Sequence, residues 1–155
     1  MTIGSTESPQ PTQGGPYMYG ELFMIALMWN LAPTEQMLTR QGIVLLHPVE
    51  ERVIEKTNAE RRRHGLSPLA VDGKLVRSAR RHTAWMSRSH TLRHTTASVG
   101  ENIAMGQQSS HEAMQSWMNS SGHRANILSS GYTKIGVAAY TASDGTVFWC
   151  QQFLR

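Results

Sequence analysis

From residue 47 onward, apolar and polar positions recur with periods that identify their elements. Pro48 suits a first helical turn, and Val49–Arg63 carries Glu50, Glu51 and Glu55 early and Arg61–Arg63 late. Acids at the start and bases at the end match the helix dipole, and Gly65 stops the run. Asp72 predicts the N-cap of a second helix through about Ser89, with Leu75, Ala79, Thr83 and Met86 on one stripe. Residues 89–108 show no period and read as a long loop. Ser109 and Glu112 form the Ser-x-x-Glu signature of a third helix, whose inner face is Ala113, Met114, Trp117 and Met118. A short helical turn is expected over His123–Leu128. Two strands close the chain. Ile135, Val137 and Ala139 alternate with Gly136, Ala138 and Tyr140; Ser143-Asp144-Gly145 turns; Val147, Trp149, Gln151 and Phe153 alternate with Phe148, Cys150 and Gln152. Both faces of this hairpin carry apolar residues, so the sheet is expected to be covered on both sides.

The first 47 residues follow no such pattern. Residues 1–16 are rich in Ser, Thr, Pro, Gly and Gln and read as disordered or as a linker. Leu22–Trp29 is an apolar run with the length of a secretory signal core. Its flanks differ from one: no Lys or Arg precedes it, Glu21 abuts it and no small-x-small cleavage site follows closely. A short helix packing on the domain, a mis-assigned start and a remnant of upstream sequence all stay open. The expected organisation is a disordered or atypical N-terminal extension over 1–47 and one domain over 48–155.

At 155 residues the chain suits a single domain with its own core. Cys150 is the only cysteine, which excludes an intrachain disulfide and a four-thiolate zinc site. No apolar run approaches the roughly 20 residues of a membrane span. Charge is uneven. Residues 1–47 hold one base, Arg40, against three acids, whereas Arg61–His94 holds nine bases and one acid, Asp72. A basic face over Arg61–Arg93 is a candidate for lipid or polyanion binding, and a solvated helix surface is its plainer explanation. Nucleic acid is not expected, because no aromatic residues are interleaved with the bases around Arg61–Arg63.

Two segments concentrate unusual residue types: Leu92-Arg93-His94-Thr95…Gly100-Glu101-Asn102-Ile103-Ala104, and Trp117-Met118…Gly122-His123-Arg124-Ala125-Asn126-Ile127-Leu128. With the Asn58-x-x-Arg61 start and the closing Ile135-Gly136-Val137-Ala138…Phe148-Trp149-Cys150-Gln151-Gln152-Phe153 hairpin, they stand in the order found in the CAP superfamily of cysteine-rich secretory and pathogenesis-related proteins. The chain resembles the bacterial branch of that family over about residues 48–155. The resemblance implies an α+β fold, a three-layer α-β-α sandwich with a small antiparallel sheet covered by helices. Asn58, Arg61, Trp117 and Asn126 then take structural roles. It also implies a cleft of two histidines and two acids, matched here by His94, Glu101 and His123. The second acid of the family falls at Ser120, so the tetrad is incomplete. Glu112 is no substitute, because capping already accounts for it.

Two neutral imidazoles, His94 and His123, are candidate ligands for a weakly held, exchangeable zinc ion, with water completing the coordination. Glu101 either orients one imidazole or serves as a candidate base toward bound water. Asn102 and Ser120 complete the expected cleft. A purely structural role is equally open, with Glu101 and Asn102 fixing the 89–108 loop. Of the remaining histidines, His82 reads as a partly buried helix-face residue, and His64, His90 and His111 as surface groups.

The function expected is that of a secreted or envelope-associated binding or scaffold module, a monomer, with a small ligand, lipid or cell-surface component as partner. Its alternatives are a metal-assisted hydrolase using the same cleft and a lipid or polyanion binder. The extracellular location rests on the resemblance, since the chain lacks a clean signal peptide.

Overall fold

The structure, a computed structural model, describes residues 44–155. The N-terminal extension expected over 1–47 therefore lies almost wholly outside the described residues. Helix α1 spans Pro48–Arg63. The Glu50 carboxylate accepts from the His47 amide at 2.8 Å and so closes the first turn. At the far end Gly65 adopts φ +72°, which lets the Leu66 amide reach back to the Arg61 carbonyl at 2.9 Å. Strand β1 is Ala70–Val71 and helix α2 is Gly73–Ser89. Asp72 caps α2, its Oδ1 accepting from the amides of Lys74 and Leu75 at 2.8 and 3.0 Å.

The remaining elements are β2 (Gly100–Met105), α3 (Ser110–Asn119), α4 (Ser121–Ile127), β3 (Lys134–Thr141) and β4 (Val147–Leu154). Ser109 Oγ accepts from the Glu112 amide at 3.2 Å, and Glu112 returns a carboxylate to the Gln108 amide at 3.0 Å. Strand order is β1-β3-β4-β2. The β3–β4 and β4–β2 pairs are antiparallel, and β1 runs parallel to β3.

Three expectations need correction. Residues 89–108 are not one loop, because β2 lies inside them. It carries no apolar alternation: Glu101 and Asn102 sit side by side, point to opposite faces, and are both buried against polar partners. The sheet is mixed rather than wholly antiparallel; β1 is an exposed two-residue edge, too short to show any period. The basic face of Arg61–Arg93 does not exist as one surface. Arg61 is only 2% exposed, Arg80 pairs with Glu50 at 2.6 Å, Arg62 and Arg63 lie on α1, and Lys74, Arg77, Arg81 and Arg88 lie on α2 across the sheet, with Arg93 on the loop beyond it.

The core has two halves, as the two-faced hairpin requires. Ile135, Val137, Trp149 and Phe153 pack with Val53, Met114, Trp117 and Ile127 of α1, α3 and α4. Ala138, Phe148, Cys150 and Ile103 pack with Ala79 and Met86 of α2. The result is an α-β-α sandwich. Arg61 crosses the first half. Its guanidinium donates to the carbonyls of Ser67, Ile127 and Ser129 at 2.8–2.9 Å and of Tyr132 at 3.4 Å. Asn58 forms a two-bond clamp with Leu69, donating to its carbonyl at 3.1 Å and accepting from its amide at 2.8 Å.

On the other side α2 presses directly onto β3 at Gly136. A Cβ there would lie 2.2 Å from the Leu75 carbonyl carbon and 2.4 Å from the Val76 nitrogen. These are main-chain atoms, so the helix itself would have to move. Gly136→Ala is expected to cost about 1–3 kcal/mol in urea denaturation, the usual range for overpacking, whereas Gly122→Ala, with no atom near its Cβ, should stay within about 0.5 kcal/mol.

Candidate functional site

Strand β2 carries polarity into the interior at two adjacent positions. Glu101 pairs in register with Gln152, and Asn102 with Gln151. Successive strand residues face opposite ways, so Glu101 and Gln152 point toward α2 while Asn102 and Gln151 point toward α1, α3 and α4.

On the α2 side Glu101 is nearly enclosed, and donors surround it. Oε1 accepts from His94 Nδ1 at 2.8 Å and from the Thr95 amide at 2.9 Å. Oε2 accepts from Gln152 Nε2 at 3.0 Å and from the Cys150 thiol at 3.6 Å. His82 Nε2 stands 3.7 Å from the same oxygen. Burial alone would raise the Glu101 carboxyl. Hydrogen bonds from Gln152, the Thr95 amide and His94, with the charge of His82, outweigh it and hold the group below its ordinary range. Cys150 goes the other way: complete burial, then the Glu101 charge, push its thiol up and keep it protonated. Gln152 must turn its NH₂ to the carboxylate, which leaves its buried Oε1 without a partner among the described residues.

His82 sits on a helix face, as its spacing predicts, and it does more than that. Its Nε2–H donates to the Arg93 carbonyl at 2.8 Å, and its ring stacks on Trp85 with centroids 5.7 Å apart at 14°. It thus pins the loop carrying His94 onto α2. A cavity of about 270 Å³ opens here, lined by His82, Trp85, Arg93, His94, Thr95 and Thr96. With its Nδ1–H donated to Glu101, His94 turns Nε2 outward on a side chain that is 60% exposed, and in the neutral ring that nitrogen carries the lone pair.

On the opposite side, polar side chains sew α4 to β2. Asn102 Nδ2 donates to the His123 carbonyl at 3.0 Å and to Gln151 Oε1 at 3.1 Å. Asn126 Nδ2 donates to Asn102 Oδ1 at 2.9 Å and to the Glu101 carbonyl at 3.2 Å. Gln151 continues to Thr57 Oγ1 at 2.7 Å, and Trp117 Nε1 donates to the Ile103 carbonyl at 3.2 Å.

The structure therefore joins His94 and Glu101 directly. His123, half-buried on α4, is not hydrogen-bonded to Glu101, but burial and then the nearby charge of His94 lower its pKa and favour the neutral ring. Asn102 faces away from the His94 side and acts as a strut for α4. Ser120 is the junction between α3 and α4, and its side chain makes no cap hydrogen bond. Sequence reasoning missed the part that His82, Trp85 and Gln152 play here. The spacing of His82 one turn before Met86 marks a helix face, but nothing along the chain links it to Arg93 or Glu101.

Among the described residues, no group of three or more His, Cys, Asp or Glu side chains is arranged to hold a metal ion. Both oxygens of Glu101 are already engaged by hydrogen-bond donors.

Comparison with known proteins gives the relatives of this fold. The profile of the cysteine-rich secretory protein family (CAP) matches residues 54–153. An uncharacterised protein of Bacillus subtilis, YkwD, is 39% identical over 122 residues, covering 68% of this chain and 46% of that protein. The crystal structure of an extracellular protein of Bacillus anthracis containing an SCP domain superposes with a TM-score of 0.62 at 28% identity, over 72% of this chain and 45% of that one. An outer surface protein of Borrelia burgdorferi shares the fold, with a TM-score of 0.62 at 18% identity, over 66% of this chain and 89% of that one. The chain spans less than half the length of the Bacillus subtilis protein it matches.

Two substitutions test the carboxylate hub. Glu101→Gln should lose about 1–3 kcal/mol at neutral pH, because buried donors lose their acceptor. A depressed carboxyl stabilises the fold fully above its unfolded value of about 4.3, and that contribution fades as pH falls through the lower folded value. The gap between wild type and variant should therefore close below about pH 4. His82→Phe keeps the stack on Trp85 but removes the bond to Arg93. It should cost about 1 kcal/mol and speed amide exchange across residues 90–99.

Proposed function

The chain belongs to the cysteine-rich secretory protein family, and on that premise we propose that it is an extracellular or cell-envelope binding module rather than an enzyme. The observation that carries this reading is the state of Glu101. Four hydrogen bonds converge on its two oxygens and hold it ionised. A carboxylate so engaged is a poor proton acceptor and a good orienting group, so it fixes the His94 ring with Nε2 turned outward. Hydrolysis also needs a stabiliser for the developing oxyanion, and Ser120, standing where the family has its second acid, brings no charge to that task.

The cleft suits a small ligand, and it suits a divalent ion such as zinc held weakly by His94 and His123 with water. Such an ion supplies a Lewis-acid centre that grips an anionic or carbonyl group of a ligand. Lowering of the His123 pKa supports this, since only the neutral imidazole has a lone pair to give. The extracellular setting is supported by the relatives: the Bacillus anthracis protein is described as extracellular and the Borrelia burgdorferi protein as an outer surface protein. Among the described residues no helix is long and apolar enough to cross a membrane.

Zinc calorimetry on the whole chain tests the cleft. The expected result is a single weak isotherm in wild type that disappears in both His94→Ala and His123→Ala. A flat wild-type titration removes the metal from the proposal. Ester or peptide turnover that depends on Glu101 replaces the binding module with a hydrolase.

A further inference from the structure

The outward side of α2 carries a surface that the cleft does not use. Lys74, Arg77, Arg81, Trp85 and Arg88 are all exposed. They recur three and four residues apart and fall within an arc of about 80° at 3.6 residues per turn, over about 21 Å of helix. The helix contains no Asp or Glu. Among the described residues, no carboxylate lies within 4.0 Å of any of these four cations or of Arg93. Arg80, one position off the stripe, is by contrast neutralised by Glu50. Like charges in a row along a helix repel, so the stripe presents a field that is strongest toward an external anion.

At Trp85 the stripe borders the 270 Å³ cavity lined by His82, Trp85, Arg93, His94, Thr95 and Thr96. Trp85 is 41% exposed, and the His82 ring lies nearly parallel to it and offset, with centroids 5.7 Å apart. This contact steadies the indole as a platform. The negative face of an indole attracts the partly positive C–H groups on the flat side of a sugar ring. Thr95 and Thr96 supply hydroxyls beside it and Arg93 a forked donor.

We propose that α2 and this cavity bind an acidic polysaccharide, with its anionic groups along Lys74–Arg88 and one sugar ring on Trp85. The inference deepens the binding-module reading by naming a ligand class; its cavity shares His94 with the metal cleft and borders Glu101 through His82 and Thr95, while the cation stripe is separate from it. A bilayer surface fits less well. Helices that lie on membranes bury their apolar face in lipid, whereas α2 turns its apolar face to the sheet. Single-stranded nucleic acid stacks successive bases on successive aromatics, and this stripe has one.

The test titrates the full chain with dextran sulfate, neutral dextran, vesicles of phosphatidylcholine with phosphatidylglycerol, and mixed-sequence single-stranded DNA. Dextran sulfate should bind and neutral dextran should not, with affinity falling steeply as salt rises. The triple variant Arg77→Glu, Arg81→Glu, Arg88→Glu should lose binding while keeping the zinc behaviour of wild type, which separates failure of this proposal from failure of the cleft. Trp85→Ala should weaken binding roughly fivefold to tenfold with an unchanged salt slope, and Trp85→Tyr should restore most of it. Equal affinity in wild type and Trp85→Ala overturns the proposal in favour of unspecific charge attraction. Tighter binding to vesicles or DNA than to dextran sulfate overturns it in favour of those surfaces, and no binding to dextran sulfate overturns it outright.

Discussion

A carboxylate enclosed by protein has to be surrounded by donors, and Glu101 draws its donors from three separate parts of the chain. They are the loop before β2, through His94 and Thr95; strand β4, through Gln152 and Cys150; and helix α2, through His82 at longer range. The loop, the edge strand and the helix are thereby fixed relative to one another by a single charge. The same bonds that make the residue tolerable in the interior also set the His94 tautomer, so the stability of the edge and the chemistry of the cleft have one cause.

The helices and the closing hairpin are legible in the sequence because their signals are local. Asp72 and Ser109 announce caps, Leu75–Met86 repeats at helical spacing, and Ile135–Phe153 alternates. Strand β2 is not legible, because two adjacent residues are polar on opposite faces and the alternation that marks a strand is absent. Strand β1 is a pair of residues whose only strand property is its partner, β3. The membership of His94 and Glu101 in one site comes from resemblance, and their direct hydrogen bond agrees with it. Asn102 stands beside the His123 main chain rather than beside His94 for a physical reason. It is adjacent to Glu101 in sequence and therefore on the far side of the sheet, where it holds up α4. The role of His82 and Trp85 is hidden because a contact eleven residues away, to Arg93, leaves no trace in a helical period.

Charge illustrates the same difference between count and placement. Nine bases in Arg61–His94 suggest one broad surface. Folding removes Arg61 to the interior, neutralises Arg80 and sends Arg62 and Arg63 to the opposite layer. What remains is narrower and more directional, a line on one helix leading to an aromatic platform.

The guanidinium of Arg61 reaches the carbonyls of residues 67, 127, 129 and 132 and no side chain at all. A cation that recognises only main chain is indifferent to the identity of the residues it grips. The turn from α4 into β3 is therefore gathered through its main chain, at the carbonyls of Ile127, Ser129 and Tyr132, and shortening this one side chain would release all three together.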